Sequence, residues 1–410
     1  MTEFTPLRSR SDCQVADARD PLRDVREKFA LPDGVIYLDG HSLGPATHGA
    51  LARVQQAAQQ EWANGLIRSW NAAGWIDLPH TVGAKIARLI GVPADEVIVT
   101  DSVSVNLFKL AAAVLPLARS RTLIVEASEF PTDQYIAEGL ARFSGAALEL
   151  ADENAGLDAL ARTGGVLIRS IVNYRTAEAL DVAASERIAQ ASGGVIVWDL
   201  SHATGVLDLR LAADGARIAT GCTYKFLNGG PGAPAFVYVS GDVAGHVASP
   251  LSGWFGHADP FAFVPGYQAG AGVARFAAGT PGVLSLSALD AALDAFDGVS
   301  MSDVAAKARA LGDLVIARAD ALGLDVLSPR EAARRGGHVS LLHKDGYAIV
   351  QALIARGIIP DFRAPNAMRF GVAAPYIRFV DVWDAMDQLA NILETRAWDR
   401  PEFHARAKVT

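Results

Sequence analysis

Val195-Ile-Val-Trp-Asp-Leu-Ser-His-Ala-Thr-Gly205 opens as an unbroken apolar run, ends in an acid, and places a histidine three residues beyond that acid. A short run of Val, Ile and Trp bounded by polar and small residues has the composition of a buried strand. A carboxylate at its end, Asp199, is costly to bury unless a cation meets it. The plainer reading is that Asp199 caps the turn or helix that follows, and both readings stay open on this stretch alone.

The same rhythm spreads outward. Residues 97–100, 123–126, 166–168, 218–221 and 235–239 are further short β-rich runs, and residues 106–115, 132–142 and 185–191 are helical stretches between them. Val- and Ile-rich strands alternating with helices predict an α/β fold with a mainly parallel sheet. Ligands bind such sheets beyond the carboxyl ends of the strands. Toward the C-terminus the pattern changes: helical spacing over 284–296 and 302–322, short strands near 338–342 and 368–372, and an amphipathic helix over about 380–398. This predicts a smaller α+β domain. Near the N-terminus a polar, mixed segment predicts an arm with a short helix around 20–29, and Leu51, Val54, Ala58 and Trp62 follow with helical spacing. The expected division is an arm over 1–45, a large domain over 46–290 and a small domain over 291–410.

A second stretch, Thr220-Gly-Cys-Thr-Tyr-Lys-Phe-Leu-Asn-Gly-Gly-Pro-Gly-Ala-Pro234, places Lys225 after a β run and before a glycine-rich loop, between two aromatics. A lysine in such surroundings is a candidate for a lowered pKa and Schiff-base chemistry. Most lysines are surface residues with snorkelling stems, and the glycines could simply make turns. The pairing shifts the balance: Asp-x-x-His at one strand end, Lys at the end of the next. A protonated pyridine nitrogen is the kind of cation that Asp199 could hold, which would make such a ring an electron sink.

Composition limits the alternatives. A chain of 410 residues predicts two or three domains, and 50% apolar with 20% charged residues is a globular mixture. The net charge of −8 argues against a nucleic-acid partner while leaving room for a small phosphate pocket. Two cysteines, Cys13 and Cys222, exclude a disulfide framework and fit a reducing, cytoplasmic setting. Residues 1–10 hold no apolar run of signal-peptide type, and the greasiest stretch, 107–117, is broken by Lys109 and Pro116 and too short for a bilayer. No His/Cys/acid group has metal-ligand spacing, so no catalytic metal is expected, and His80, His246 and His338 read as surface or core residues.

The order strand-Asp, then strand-Thr-x-Lys, resembles that of the fold-type I pyridoxal phosphate (PLP) enzymes related to aminotransferases and cysteine desulfurases. Within that group the wording is similar to the kynureninase family: Tyr37-Leu-Asp-Gly-His-Ser-Leu-Gly44, Phe130-Pro-Thr-Asp133, Asp199-Leu-Ser-His202, Tyr224-Lys-Phe-Leu-Asn-Gly229 and Gly253-Trp-Phe-Gly-His257. The five motifs run in order over nearly the whole chain. The resemblance implies a PLP-dependent transferase-like fold and a homodimer with shared active sites. It implies hydrolytic cleavage of the Cβ–Cγ bond of L-kynurenine to anthranilate and L-alanine, in tryptophan catabolism.

Carried over residue by residue, the resemblance makes Lys225 the covalent anchor of the cofactor and the base at the substrate Cα. It pairs Asp199 with the pyridine nitrogen, with Asp133 close by, sets His202 near the ring's phenolate oxygen and stacks Phe130 on the ring. Val103 and Ser104 open a helix whose free N–H groups suit a phosphate, and Ser170 and Tyr224 belong in or near the same site. Trp254 and Thr280 would reach it from the neighbouring subunit. Arg369, in Asn366-Ala-Met-Arg-Phe-Gly371, matches the arginine that binds the substrate α-carboxylate; Arg378 is a rival whose setting reads as a helix start. Tyr224 is the candidate proton relay, on the ground that a phenol beside a cationic imine and a phosphate can titrate near neutrality.

Two departures stand out. One branch of the family recognises a 3-hydroxy group through a histidine- and glycine-rich segment, where this chain reads Trp62-Ala-Asn-Gly-Leu-Ile-Arg-Ser-Trp70, without histidine. This predicts a preference for kynurenine. Near Thr280 an Asn-Pro-Pro wording is replaced by Gly279-Thr-Pro281. The competing expectations are a cysteine desulfurase, an aminotransferase, or a PLP-binding protein without turnover. A desulfurase needs a mobile nucleophilic cysteine, and neither Cys13 nor Cys222 is so placed. A nicotinamide enzyme is poorly matched, because Gly270-Ala-Gly-Val-Ala-Arg275 lacks the last glycine of its fingerprint.

Overall fold

The structure is a computed structural model and describes residues 7–406; residues 1–6 of the expected arm and 407–410 of the expected small domain lie outside the described residues. After a two-residue strand, β1 (Ile36–Tyr37), seven strands build the central sheet: β2 (Val97–Val99), β3 (Thr122–Glu126), β4 (Ala147–Ala151), β5 (Val166–Ser170), β6 (Val195–Asp199), β7 (Ile218–Gly221) and β8 (Phe236–Val239). Their spatial order is β2-β8-β7-β6-β5-β3-β4. The run from β4 to β7 is parallel, and β8 is antiparallel to both its neighbours. The α/β class and the mainly parallel sheet therefore match the sequence pattern.

β6 is buried on both faces, which is why it reads as a continuous apolar run rather than an alternating one. Leu167, Ile196 and Trp198 pack on one side of the sheet and Val166, Ile168, Val195 and Val197 on the other. Each fully buried aliphatic side chain contributes about 1.5–3 kcal/mol. Register then sets the chemistry: Ser170 stands opposite Asp199, and Asp199 opposite Thr220, so strand ends form a row.

Two helices facing that row begin earlier than periodicity suggested. Helix Val103–Val114 is capped by the Ser102 side chain, which accepts from the Val105 N–H, and helix Pro131–Ser144 carries its proline in the first turn. Both signals precede the first apolar repeat.

The arm differs from expectation. Its helix is Arg10–Arg19, closed by a Ser9–Asp12 capping box, while Arg23–Lys28 forms only a 3-10 turn. Pro21 disfavours helical backbone at Asp20 and ends the helix there. Leu51 and Trp62 are also not core residues: helix His48–Gln56 buries Ala50, widens into a π-helix over Ala57–Gly65, and leaves both large side chains exposed. Helices Leu78–Ile90 and Gly156–Thr163 and strand β4 lie outside the expected elements.

The C-terminal region holds β9 (Asp325–Val326), β10 (His338–Leu342), β11 (Ile358–Ile359), β12 (Asp361–Arg363) and β13 (Ala367–Gly371). Four of these form an antiparallel sheet in the order β12-β13-β10-β9, flanked by helices Met301–Ala321 and Phe379–Thr395. The N-terminal segment is fastened to it. β1 pairs in parallel with β11, and Asp17 accepts from the N–H groups of Phe379 and Val380 at 2.7 and 3.1 Å, capping the last long helix. Among the described residues no helix is long and apolar enough to cross a membrane.

Candidate active site

A crevice of about 570 Å³ opens at the carboxyl ends of β5, β6 and β7. Val103, Ser104, Phe130, Asp133, Ser170, Asp199, His202, Tyr224, Lys225 and Thr280 all line it, so ten residues singled out in the sequence meet there. Lys225 lies in the turn just beyond Cys222, Thr223 and Tyr224, which follow β7. Its amine lies 2.9 Å from His202 Nε2. The turn holding it is fixed from a segment far upstream: the Gly44 N–H donates to the Tyr224 carbonyl at 2.8 Å. A Cβ at Gly44 would stand 2.1 Å from the Lys225 carbonyl oxygen, so only glycine fits there.

Asp199 does part of what the plainer reading asked, since one carboxylate oxygen accepts from the Ser201 N–H at 2.7 Å. It also lines the crevice beside Asp133, and neither oxygen of Asp133 has a hydrogen-bond partner. Burial pushes both acids up, for Asp133 well above the usual carboxylate range, with Asp199 and Glu129 adding to its shift and Lys225 opposing it. Glu129, behind them, is pushed up to about 7 by burial and accepts from the Ser170 N–H at 3.1 Å. Buried acids without partners cost several kcal/mol unless a cation or donor completes them. A protonated ring nitrogen would do so here, and the N–H groups at Val103 and Ser104 would suit a phosphate at the other end. The residues present fit PLP.

On the far side of Lys225 the groups are basic. His202, His338 and His41 pack together with ring centroids 5.0–6.4 Å apart, and His41 is stacked on His338 at an interplanar angle of 11°. All three are held well below the usual imidazole value, first by burial and then by charges that include Arg369 and Arg363, with Lys225 acting on His202 and His338.

Two expected residues stand elsewhere. Arg369 is buried behind the crevice wall with its guanidinium already engaged by Asp361, by the Tyr174 carbonyl and by Ser42 Oγ at 3.2 Å. A buried guanidinium must satisfy its donors, and Asp361 does that from the neighbouring strand. Trp254 is 42% exposed and touches the crevice only through Phe255, at a centroid distance of 4.7 Å. Thr280, expected to serve the neighbouring subunit, stands in the wall of its own chain's crevice.

Burial drives the Tyr224 phenol above the usual tyrosine value, with Cys222 and Asp199 adding to the shift, which opposes the pull toward neutrality expected from an imine and a phosphate. Arg378 is, as its setting suggested, a helix start: it caps Phe379–Thr395 and pairs with Asp381. Cys222 lines the crevice, but burial raises its thiol, the opposite of what a nucleophile needs.

Sequence reasoning gave no role to Asp101, Ser102, Thr132, Ser201 and Phe255 in the crevice wall. Ser102 was legible as the cap before Val103, and Thr132, Ser201 and Phe255 lay inside quoted motifs that left them unassigned. One acidic group with ligand-like spacing, Asp39, His41 and Asp361, exists among the described residues. Arg369 and Arg363 already pair with Asp361, which disfavours a further cation.

The comparisons with known proteins agree with this geometry. A family model described as the kynureninase C-terminal domain matches residues 304–389. Kynureninases from Pseudomonas fluorescens and from Burkholderia mallei (strain SAVP1) are each 45% identical over 416 residues, spanning 98% of this chain and all of theirs. Among solved structures, a cysteine desulfurase from Thermococcus onnurineus NA1 superposes with a TM-score of 0.77 at 19% identity, over 92% of this chain and 99% of that one. The cystine C–S lyase C-DES, in complex with cysteine persulfide, superposes with a TM-score of 0.78 at 17% identity, over 88% and 98%. These two share the fold. With full-length relatives at 45% identity, the chain belongs to the kynureninase family.

Proposed function

We propose that this protein hydrolyses the Cβ–Cγ bond of L-kynurenine, releasing anthranilate and L-alanine. The observation that carries the reading is the placing of the Lys225 amine in one crevice between the buried acids Asp133 and Asp199 and the imidazole of His202. When bound, PLP supplies an aldehyde for covalent capture of the substrate amine and a cationic ring that takes up electrons.

The chain's own residues do the rest. Lys225 would anchor the cofactor, and its free amine would take the proton from the substrate Cα. Asp199 would hold a proton on the ring nitrogen, and Asp133 beside it would keep the local field negative. Phe130, at the crevice mouth, covers the ring face, and His202 stands beside Lys225 on the opposite side. The N-terminus of Val103–Val114 receives the phosphate, with Ser104 beside it and Ser170 and Tyr224 bordering the cofactor site. Tyr224, protonated, donates a hydrogen bond rather than taking a proton. Arg369 orients the α-carboxylate with the N–H that its internal partners leave over, and Ser42 assists.

The proposal extends to a cytoplasmic homodimer serving tryptophan catabolism. Trp254, Phe261, Phe263 and Val264 form an exposed apolar group beside the crevice, and such a group favours a partner surface. Trp254 then completes the neighbour's phosphate pocket, with Thr280 at the seam. The test is direct: purify the PLP-loaded protein, record its visible spectrum before and after adding kynurenine, and follow anthranilate fluorescence and alanine. A spectrum that shifts without anthranilate release eliminates the reading.

A further inference from the structure

Behind Lys225 lies a group of side chains that the reaction as described leaves unused. His202 comes from the turn after β6, His338 from the first position of β10, and His41 from the loop after β1. His41 and His338 are fully buried, yet only His202 lines the crevice. Neither ring nitrogen of His41 has a hydrogen-bond partner, and Nδ1 of His202 has none. Neither ring nitrogen of His338 has a hydrogen-bond partner either. Beyond His41, Asp39 Oδ1 is also unpartnered and lies 3.7 Å from His41 Nε2, and the Asp39 side chain keeps 17% of its surface exposed. The other charged groups facing this file are Asp361, Arg363 and Arg369.

Unpartnered buried nitrogens are expensive, at about 1–3 kcal/mol each. Aliphatic or phenyl side chains would fill the same space at less cost, so the nitrogens call for a chemical explanation. A neutral imidazole can take a proton on one nitrogen while giving one from the other. Burial and the neighbouring cations keep these rings neutral, and burial pushes Asp39 up to about 7, where it can both accept and release.

We propose that His202, His338, His41 and Asp39 form a proton path leading from Lys225 to solvent on the side of the site away from the substrate. The proposal rests on the hydrolytic function above. In that reaction the Cβ–Cγ bond breaks and a C–O bond forms between water and Cγ. One hydrogen of water ends on Cβ; the other leaves as a proton when the new carboxyl group ionises at neutral pH. One proton therefore departs per turnover, while substrate and product block the open face of the crevice. The first hop, from Lys225 to His202, spans 2.9 Å. The later hops take place by ring rotation or through a water between rings. His41 and Asp39 thus act through His202 and are relay residues, not catalytic ones.

The experiment uses the PLP-loaded protein in weak buffer, with a pH-indicator dye read beside anthranilate fluorescence in a stopped-flow instrument. His41→Phe keeps a ring against His338 and removes both nitrogens; Asp39→Asn, at a part-exposed position, guards against a folding defect in the first. The expected result is that both variants keep the KM of the parent, lose about tenfold in kcat, and release their proton after anthranilate rather than with it. A larger solvent isotope effect accompanies the loss. Nitrogen NMR of the cofactor-free protein adds a readout independent of turnover: His202 and His338 exchange between tautomers in the parent, and His338 stops in His41→Phe. Unchanged kcat and synchronous proton release in folded variants overturn the path. So do single fixed tautomers in the parent. Failure of the parent to make anthranilate is a different result and strikes the function instead.

Discussion

Lys225 divides two buried polar clusters that respond to the same force in opposite ways. On one side Asp199, Asp133 and Glu129 are pushed up by burial. On the other His202, His338 and His41 are pushed down by it. Burial disfavours charge whatever its sign, so both clusters drift toward neutrality around one amine. Their remedies differ. Asp199 and Asp133 face the crevice, where a cationic ring nitrogen would restore their charge, while Glu129 stands behind them; the imidazoles stand mostly outside the crevice and remain neutral. The acid side would be completed by a ligand, and the basic side would not.

The boundary itself gives the largest effect. Lys225→Ala removes the covalent anchor and the base together, and anthranilate formation should fall by at least about 10⁴-fold, while PLP still binds without the absorbance of a lysine-linked cofactor. Retention of the parent rate would erase the division. Next comes the acid side: Asp199→Asn keeps the turn's hydrogen bond to Ser201 but removes the charge, and should cost about 10²–10³-fold in kcat and weaken PLP retention. An equal loss from His202→Asn would show that the two sides are not distinct in kind.

Arg369→Leu tests the wall behind the crevice. It strips Asp361 of its closest cation deep in the protein, so a loss of about 3 kcal/mol in unfolding free energy should accompany a raised KM. A raised KM with unchanged stability would mean that Asp361 finds another partner. The smallest effect concerns pH. A histidine held below its unfolded value of about 6.5 resists protonation only when folded, so the unfolded state binds more protons below that pH and stability falls with acid. The raised acids work in the opposite sense, stabilising the fold as pH drops toward their unfolded values. His41→Phe removes one histidine from this balance. Relative to the parent, the cofactor-free variant should gain on the order of 1 kcal/mol between pH 7 and pH 5 in denaturant titrations. A constant difference would mean that His41 is not kept neutral.

The two clusters were unequally legible. Asp199, Lys225 and His202 follow strands whose Val and Ile runs announce themselves, and the helix opening at Val103 has a capping serine before it. β4 escaped because an exposed edge strand, Ala147-Leu-Glu-Leu-Ala151, does not present a continuous apolar run. The helical spacing of Leu51 and Trp62 was real but faced outward, since periodicity gives a stripe and not the side on which the core lies. The imidazole cluster left no local mark at all. His41 and His338 sit near opposite ends of the chain and meet only because β1 is clipped to β11 and Gly371 passes beside His41. Arg369 was identified by its motif, but nothing in the motif revealed that Asp361 would occupy it.

That clip between Ile36–Tyr37 and Ile358–Ile359 also has a consequence for biosynthesis. The nascent chain emerges from the ribosome in order, and the loop bearing Gly44, which steadies the Lys225 turn, is among the first segments out. It has no permanent seat until the residues around 358–371 have been translated. Contacts of such long sequence separation form late and slowly. The central sheet can assemble during synthesis, but a competent crevice must wait for the codons of residues 358–371.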